Sequence, residues 1–287
     1  MNSVDHHECS GCSLCLLVCP VWRETRDVRL TPRGRAKAIQ HGMSGSDIAR
    51  SVEGCTLCGA CEPACPEKLP LVDLVMELRR DAPLPEVSKE IFSRKTDVFL
   101  AGRILGSDEA RRNRTLALLG EGFELAKDDG ADIAFALESG ATLAADRLQR
   151  FLAPLRAARR LVVAESILLR SLRRWLPGVE SVGIGEALTP LVRQKLRAGD
   201  LYVIESRAFN GDHARLVGHY DRLRAFSGCE MNLDLQRIAI PVMGPDAEAQ
   251  ARWILEGRKV ERIVVEDLGE RAAFAFSGRP VLHLADL

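Results

Sequence analysis

The chain has 287 residues, with 40 Lys and Arg against 40 Asp and Glu, 46% hydrophobic residues and only 5% aromatic ones. That length and apolar content suit one large or two ordinary domains, and the zero net charge excludes the global basic footprint of a nucleic-acid binder. The start has no positive segment followed by an apolar run, and no stretch of about 18 apolar residues occurs anywhere, so the expectation is a cytoplasmic protein without direct membrane insertion.

Eight of the nine cysteines lie between Cys9 and Cys65, and Cys229 stands alone. Cys9, Cys12, Cys15 and Cys19 precede Pro20, and Cys55, Cys58, Cys61 and Cys65 precede Pro66; both runs read C-x2-C-x2-C-x3-C-P. A disulfide framework belongs to oxidising compartments, and no secretory signal is visible. Structural zinc uses separated C-x2-4-C pairs, for which a C-x2-C-x2-C triplet is unusual. Three thiolates at this spacing wrap a loop around a cubane, while the fourth leaves the loop to ligate the other cluster. The duplicated run predicts two 4Fe-4S clusters, one on Cys9, Cys12, Cys15 and Cys65, the other on Cys55, Cys58, Cys61 and Cys19. With every iron held by a thiolate, no open coordination position remains for a substrate, so the clusters carry single electrons. His6 and His7 are placed either near the first cluster or in a frayed terminus.

Between the two runs, Thr31 is a helix N-cap, Pro32 a first helical residue and Gly42 a stop. A short helix is expected from Ser46 to about Val52, with Ser46 or Asp47 near its start. After Pro66, Leu71, Leu74, Val75 and Leu78 recur at helical spacing. The cluster region therefore reads as all-helical.

These residues carry a resemblance. CPVWRETRD followed by TPRGRA, and then GCTLCGACEPACP, resembles the α-helical ferredoxin module in the iron–sulfur subunits of anaerobic glycerol-3-phosphate dehydrogenase, glycolate and lactate oxidases and the heterodisulfide reductases. The resemblance implies a module, residues 1–90, that passes electrons between a flavoprotein and a further acceptor. The arginines of Pro32-Arg33-Gly34-Arg35 match a segment of that family and are read as stabilising reduced clusters, docking a partner, or forming a solvated basic helix end.

From about Thr96 onward, apolar runs alternate with helical stretches: DVFLAG, ADIAFAL, RLVVAES and VESVGI, then DLYVIES, RIAIPVMG, RIVVED and PVLHLAD. The alternation predicts an α/β domain, residues 91–287, with largely parallel sheets. Asp97 with Val98-Phe99-Leu100 aligns with Asp200 with Leu201-Tyr202-Val203, Arg160 with Arg262, and Pro177 with Pro280, all at an offset of about a hundred residues. The fold class is therefore an α-helical ferredoxin domain followed by an α/β domain of two pseudo-repeats, about 96–190 and 199–287.

Two such units after a dicluster module also match the family, whose repeats carry a Cys-Cys-Gly after the second strand and further cysteines after the first and third. Here Gly102-Arg103 and Glu205-Ser206 follow the first strands, Glu138-Ser139-Gly140 and Met243-Gly244 the expected second, and Glu165-Ser166 and Glu266-Asp267 the third. No thiolate ligand remains, and no third cluster is expected. Aligning Gly122 with Gly228 sets Cys229 opposite Phe123, as a small buried hydrophobe. Glu138, Glu165, Glu205, Glu266 and Asp267 sit at strand ends, where ligands bind in open sheets, although solvation or pairing with Arg103, Arg170 and Arg207 accounts for them better. Gly183-Ile184-Gly185 lacks the third glycine of a dinucleotide fingerprint.

The leading expectation is an electron-transfer iron–sulfur subunit, itself without catalytic residues, working between a flavoprotein or other redox subunits of a complex. The alternatives are a catalytic subunit using the carboxylate-lined crevice, and a redox-sensing module with a labile cluster.

Overall fold

The computed structural model describes residues 8–80 and 96–287; the expected boundary at 90/91, His6 and His7 lie outside them. Residues 8–80 form five short helices, α1 (Leu14–Leu17), α2 (Pro20–Thr25), α3 (Pro32–Gln40), α4 (Ala49–Glu53) and α5 (Leu71–Arg79). Pro20 and Pro32 each open a helix at its first position, where a missing N–H leaves nothing unpaired. Thr31 caps α3 by accepting the Gly34 N–H, as expected. The helix expected from Ser46 begins only at Ala49, because Asp47 accepts the Ser44 N–H at 2.8 Å and closes a turn instead. Helix α5 buries more than the single expected face: Val72, Val75 and Met76 enter the core beneath the first sheet, while Leu71 packs with Cys15.

The rest of the chain follows as β1 (Asp97–Leu100), α6 (Gly102–Ser107), α7 (Glu109–Leu119), β2 (Phe123–Leu125), α8 (Ala131–Ser139), α9 (Ala145–Leu155), β3 (Arg160–Val163), α10 (Ser166–Trp175), β4 (Glu180–Gly183) and α11 (Ile184–Val192). It continues as β5 (Asp200–Val203), α12 (Ser206–Asn210), α13 (His213–Ser227), β6 (Glu230–Met231), α14 (Ala247–Leu255), β7 (Arg262–Val265), a 3-10 segment Leu268–Ser277 and β8 (Val281–His283). Two four-stranded sheets result, ordered β2-β1-β3-β4 and β6-β5-β7-β8, with every pairing parallel.

Strand alternation divides the core. Val98, Leu100, Leu161 and Val163 face α5, α8 and α10, whereas Phe99 and Val162 point the other way and meet Tyr202 and Val264 between the sheets. Leu201, Val203, Ile263 and Val265 fill the outer core of the second sheet. Burial on both faces explains why these strands read as continuous apolar runs. Asp97 and Asp200, each at the start of a central strand, accept paired hydrogen bonds from Arg159 and Arg262.

Two expected strands are corrected. ADIAFAL is helical, within α8: its alanines favour helix, and Gly130, at φ +70° against the Phe151 ring, starts the turn that launches it. RIAIPVMG joins neither sheet and makes only the isolated antiparallel bridge Leu233 to Ala239. Side chains satisfy its backbone in place of a ladder: Asn210 bonds both backbone groups of Ala239, and Asn232 bonds the Ile240 carbonyl. The second strands are instead the short β2 and β6, beginning at or just after the aligned pair Phe123 and Cys229. The segment after the second strand in the first half is therefore Asp128-Asp129-Gly130, not Glu138-Ser139-Gly140; it too lacks cysteine, and Asp128 is bonded to the buried Arg147 at 2.8 and 2.9 Å.

Candidate metal centre

The eight clustered cysteines ring two cavities. One is lined by Cys9, Cys12, Cys15 and Cys65, the other by Cys19, Cys55, Cys58 and Cys61. The fourth cysteine of each run thus stands with the first three of the other run. Pro32 and Leu71 line both cavities and form the wall between them.

Local backbone makes the loops. In each run the residues flanking the second cysteine are left-handed: Gly11 at φ +80° and Ser13 at φ +72° around Cys12, and Leu57 at φ +53° and Gly59 at φ +73° around Cys58. Such turns curl the chain around a central space and aim N–H groups into it. Against the effect of burial, the backbone N–H of Arg33 favours the thiolate at Cys15, those of Trp22 and Val21 at Cys19, and that of Ala60 with the Thr56 side chain at Cys58. N–H groups aimed at sulfur stabilise negative charge there and tune cluster potential.

Burial pushes the Cys15 thiol up to about 11 and Cys58 up to about 12, and raises Cys19 and Cys61 as well. Thiolates in these walls need a positive partner, and binding iron there displaces protons. Among the described residues, no three His, Cys, Asp or Glu side chains converge as the ligands of one metal ion. All-sulfur donors spread around a cavity suit a cluster with several irons, whose chemistry is the exchange of one electron at a time. The cavities differ in depth: Cys12 is exposed, whereas Cys19 and Cys58 are buried.

Residues 5–69 match the 4Fe-4S dicluster domain. The N-terminal region is thus an iron–sulfur, electron-transfer domain. Similar proteins include lactate utilization protein B of Macrococcus caseolyticus, 38% identical over 77 residues, and the probable glycolate oxidase iron-sulfur subunit of Bacillus subtilis, also 38% over 77 residues. Lactate utilization protein B of an Exiguobacterium species is 36% identical over 84 residues. Each match covers 25% of this chain and 16 to 17% of the relative. No solved structure matches the chain.

The dicluster domain is clamped to the α/β region by side chains with no motif of their own. Arg170 on α10 donates to both oxygens of Glu62, the residue after Cys61, at 2.5 and 2.7 Å, and to Asp73 at 3.2 Å. Arg207 donates to the Thr56 carbonyl at 2.9 Å and pairs with Glu138, and Asn210 bonds the Cys58 carbonyl at 3.3 Å. Arg79 binds the Cys55 carbonyl at 2.5 Å and reaches the Glu138 carbonyl. Gly140 is required at that crossing, since a Cβ there would lie 1.8 Å from the Arg79 Cβ. Within the domain, Arg35 of the PRGR stretch is buried and bonds the Leu30 and Ser51 carbonyls, so it is structural; Arg33 instead lines the Cys12 cavity.

The strand-end carboxylates are largely engaged. Arg103 pairs with Glu138 at 2.6 Å and donates its N–H to Glu165 at 3.2 Å. Glu205 caps α12 through the Arg207 and Ala208 N–H groups, and Asp267 accepts from Gly269. Glu266 is buried and accepts from Tyr202, Tyr220 and the Glu205 N–H. Gly185 lies against it; a Cβ there would be 2.0 Å from its carboxyl carbon, which explains the glycine without a nucleotide. Sequence reading missed Glu270, buried with neither oxygen hydrogen-bonded among the described residues. Cys229 lies in the core between the sheets, 1% exposed.

Burial raises Glu266 from its ordinary 4.5 to about 7, Asp267 to about 6, and Glu270 further still. A raised value means that Glu266 favours the fold fully below pH 4.5 and loses that contribution as pH climbs through about 7. Stability to urea should therefore fall across this window by roughly 3 kcal/mol. The slope should flatten in Glu266→Gln, and a wild-type curve without a decline would contradict the buried acid.

Proposed function

We propose that this chain is an electron-transfer iron–sulfur subunit holding two 4Fe-4S clusters. Cys9, Cys12, Cys15 and Cys65 hold one, and Cys55, Cys58, Cys61 and Cys19 hold the other. The grouping of four thiols around each of two cavities that share one wall carries this reading. The protein's part is to shield the cavities from water, aim N–H groups at the sulfurs, and keep the pair adjacent. Because all the donors are thiolates, it relays single electrons between partner redox subunits, one of them a flavoprotein or a heterodisulfide-reductase-like core. The names of the relatives, which include an iron-sulfur subunit, support such partners.

The α/β region, residues 91–287, is proposed as two copies of one unit that have lost the cysteines of a further cluster and now support the dicluster domain. The shared strand order, and an arginine paired with the aspartate that opens each central strand (Arg159 with Asp97, Arg262 with Asp200), support this. Anaerobically purified protein should hold about eight iron atoms per chain; about twelve would restore a third cluster and overturn the scaffold reading. The second reading, a catalytic crevice, draws on Glu270, neither of whose oxygens is hydrogen-bonded among the described residues. It requires Glu165→Gln to abolish turnover with clusters intact.

A further inference from the structure

A cleft of about 540 Å³ lies where α1 and α2 meet the second half of the α/β region. Its wall includes Leu17, Val18, Met231, Ile240, Ile254 and Trp253. Val18 precedes Cys19 and packs in one apolar cluster with Cys58 and Ile238, so one layer of side chain separates the cleft from the thiols of the buried cavity. That cavity has no exposed cysteine, unlike its neighbour at Cys12.

Three apolar side chains around the cleft remain in solvent: Leu17 is 58% exposed, Trp253 43%, and Leu235 fully so. Leu235 stands at the tip of an excursion between the bridged residues Leu233 and Ala239, where Arg237 takes φ +63°. A ligand seated inside the cleft would leave this tip bare, whereas a protein surface covers it. The charged lining comprises Arg23, Arg224, Arg237 and Arg258 against Glu230 and Asp234; Arg237 is paired with Asp221 and Arg258 lies 3.8 Å from Glu230, so the positive excess comes from Arg23 and Arg224 against Asp234. Arg23 stacks 4.1 Å from the Trp253 ring centre, and the Arg224 guanidinium has no partner among the described residues. A tryptophan and arginines around a depression are residue types enriched in protein-binding hot spots, the exposed leucines extend them into an apolar patch, and the small cationic excess selects an acidic partner.

We propose that this cleft docks an acidic one-electron carrier protein and is the port of the cluster held by Cys19, Cys55, Cys58 and Cys61. This rests on the electron-transfer reading above. The transfer moves one electron: the cluster is oxidised by one, the carrier's centre is reduced by one, and no atom or proton changes hands. The relay then has two ends, the cleft over Val18 and the exposed edge at Cys12.

The test uses the cluster-loaded full chain, a purified acidic flavodoxin and the cationic cytochrome c, with binding measured by calorimetry and electron transfer by stopped flow. Wild type should bind flavodoxin saturably and more weakly as salt rises. Leu235→Asp and Arg224→Glu should each weaken binding at least tenfold and slow flavodoxin reduction in proportion, with iron content and cluster spectra unchanged and cytochrome c reduction unaffected. Unchanged flavodoxin affinity in both variants, or no flavodoxin binding while cytochrome c is reduced, overturns the docking proposal. So does flavin mononucleotide competing for the cleft, or wild-type self-association abolished by Leu235→Asp, which would give the cleft to a small ligand or a second copy. Reduced protein that passes electrons to neither carrier instead sinks the electron-transfer reading itself.

Discussion

Replacing Cys65 with serine is expected to remove the cluster beside Cys12 and to spare the one beside Cys58, although Cys65 is covalently part of the second run. Cys65 lines the cavity of Cys9, Cys12 and Cys15, and Cys19 lines that of Cys55, Cys58 and Cys61. Iron and sulfide per chain should fall by about half, since a cluster deprived of one of its four thiolates is poorly retained. The surviving electron paramagnetic resonance signal should coincide with that of Cys12→Ser and differ from that of Cys58→Ser; Cys19→Ser should do the reverse. A Cys65→Ser spectrum matching Cys58→Ser would mean that each run holds its own cluster, and the crossed assignment would be wrong.

Arg170→Met has the largest expected effect outside the cysteines. Glu62 follows Cys61 directly, and its carboxylate is satisfied by two bonds from Arg170 and one from the Val72 N–H. Its side chain is only 14% exposed. Without Arg170, a carboxylate sits uncompensated in a poorly hydrated position, at a cost of about 3–5 kcal/mol. The same unpaired negative charge beside Cys61 opposes adding an electron to the adjacent cluster, so its midpoint potential should fall while that of the Cys12 cluster stays. Anaerobic urea unfolding and a redox titration followed by paramagnetic resonance measure the two effects. Because the penalty comes from the stranded charge, Arg170→Met combined with Glu62→Gln should recover most of both. A double variant as unstable as the single one, with the potential still low, would show that Arg170 acts by packing alone.

Much of the candidate site is legible in the sequence because it is local. A C-x2-C-x2-C-x3-C-P run needs only its own loop geometry to gather three thiols, and Pro20 and Pro66 turn the chain away with the fourth. Around the two cavities, Cys65 lies with Cys9, Cys12 and Cys15, and Cys19 with Cys55, Cys58 and Cys61. The strands DVFL, RLVV, ESVG, DLYV, RIVV and VLH were equally readable, being short apolar runs between helical stretches. ADIAFAL failed because a brief apolar run is ambiguous between strand and helix, and the Gly130 turn settles it. RIAIPVMG failed because its backbone pairs with the Asn210 and Asn232 side chains and with the main chain of the stretch just before it, not with a sheet strand.

The sequence by itself determined the chemistry on offer: eight sulfur donors in two runs, a chain of zero net charge, and a single further cysteine, Cys229, in the α/β region. Only the tertiary structure decided what surrounds those donors. Arg170, Arg207 and Asn210 reach the loop at Cys55 to Cys61 from about a hundred or more positions away, and contacts at that separation leave no periodicity to read. Depth was decided in the same way. The two runs are alike in sequence, yet one cavity has an exposed cysteine, Cys12, and the other has none, because side chains of the α/β region, Arg207 and Asn210 among them, reach the second loop.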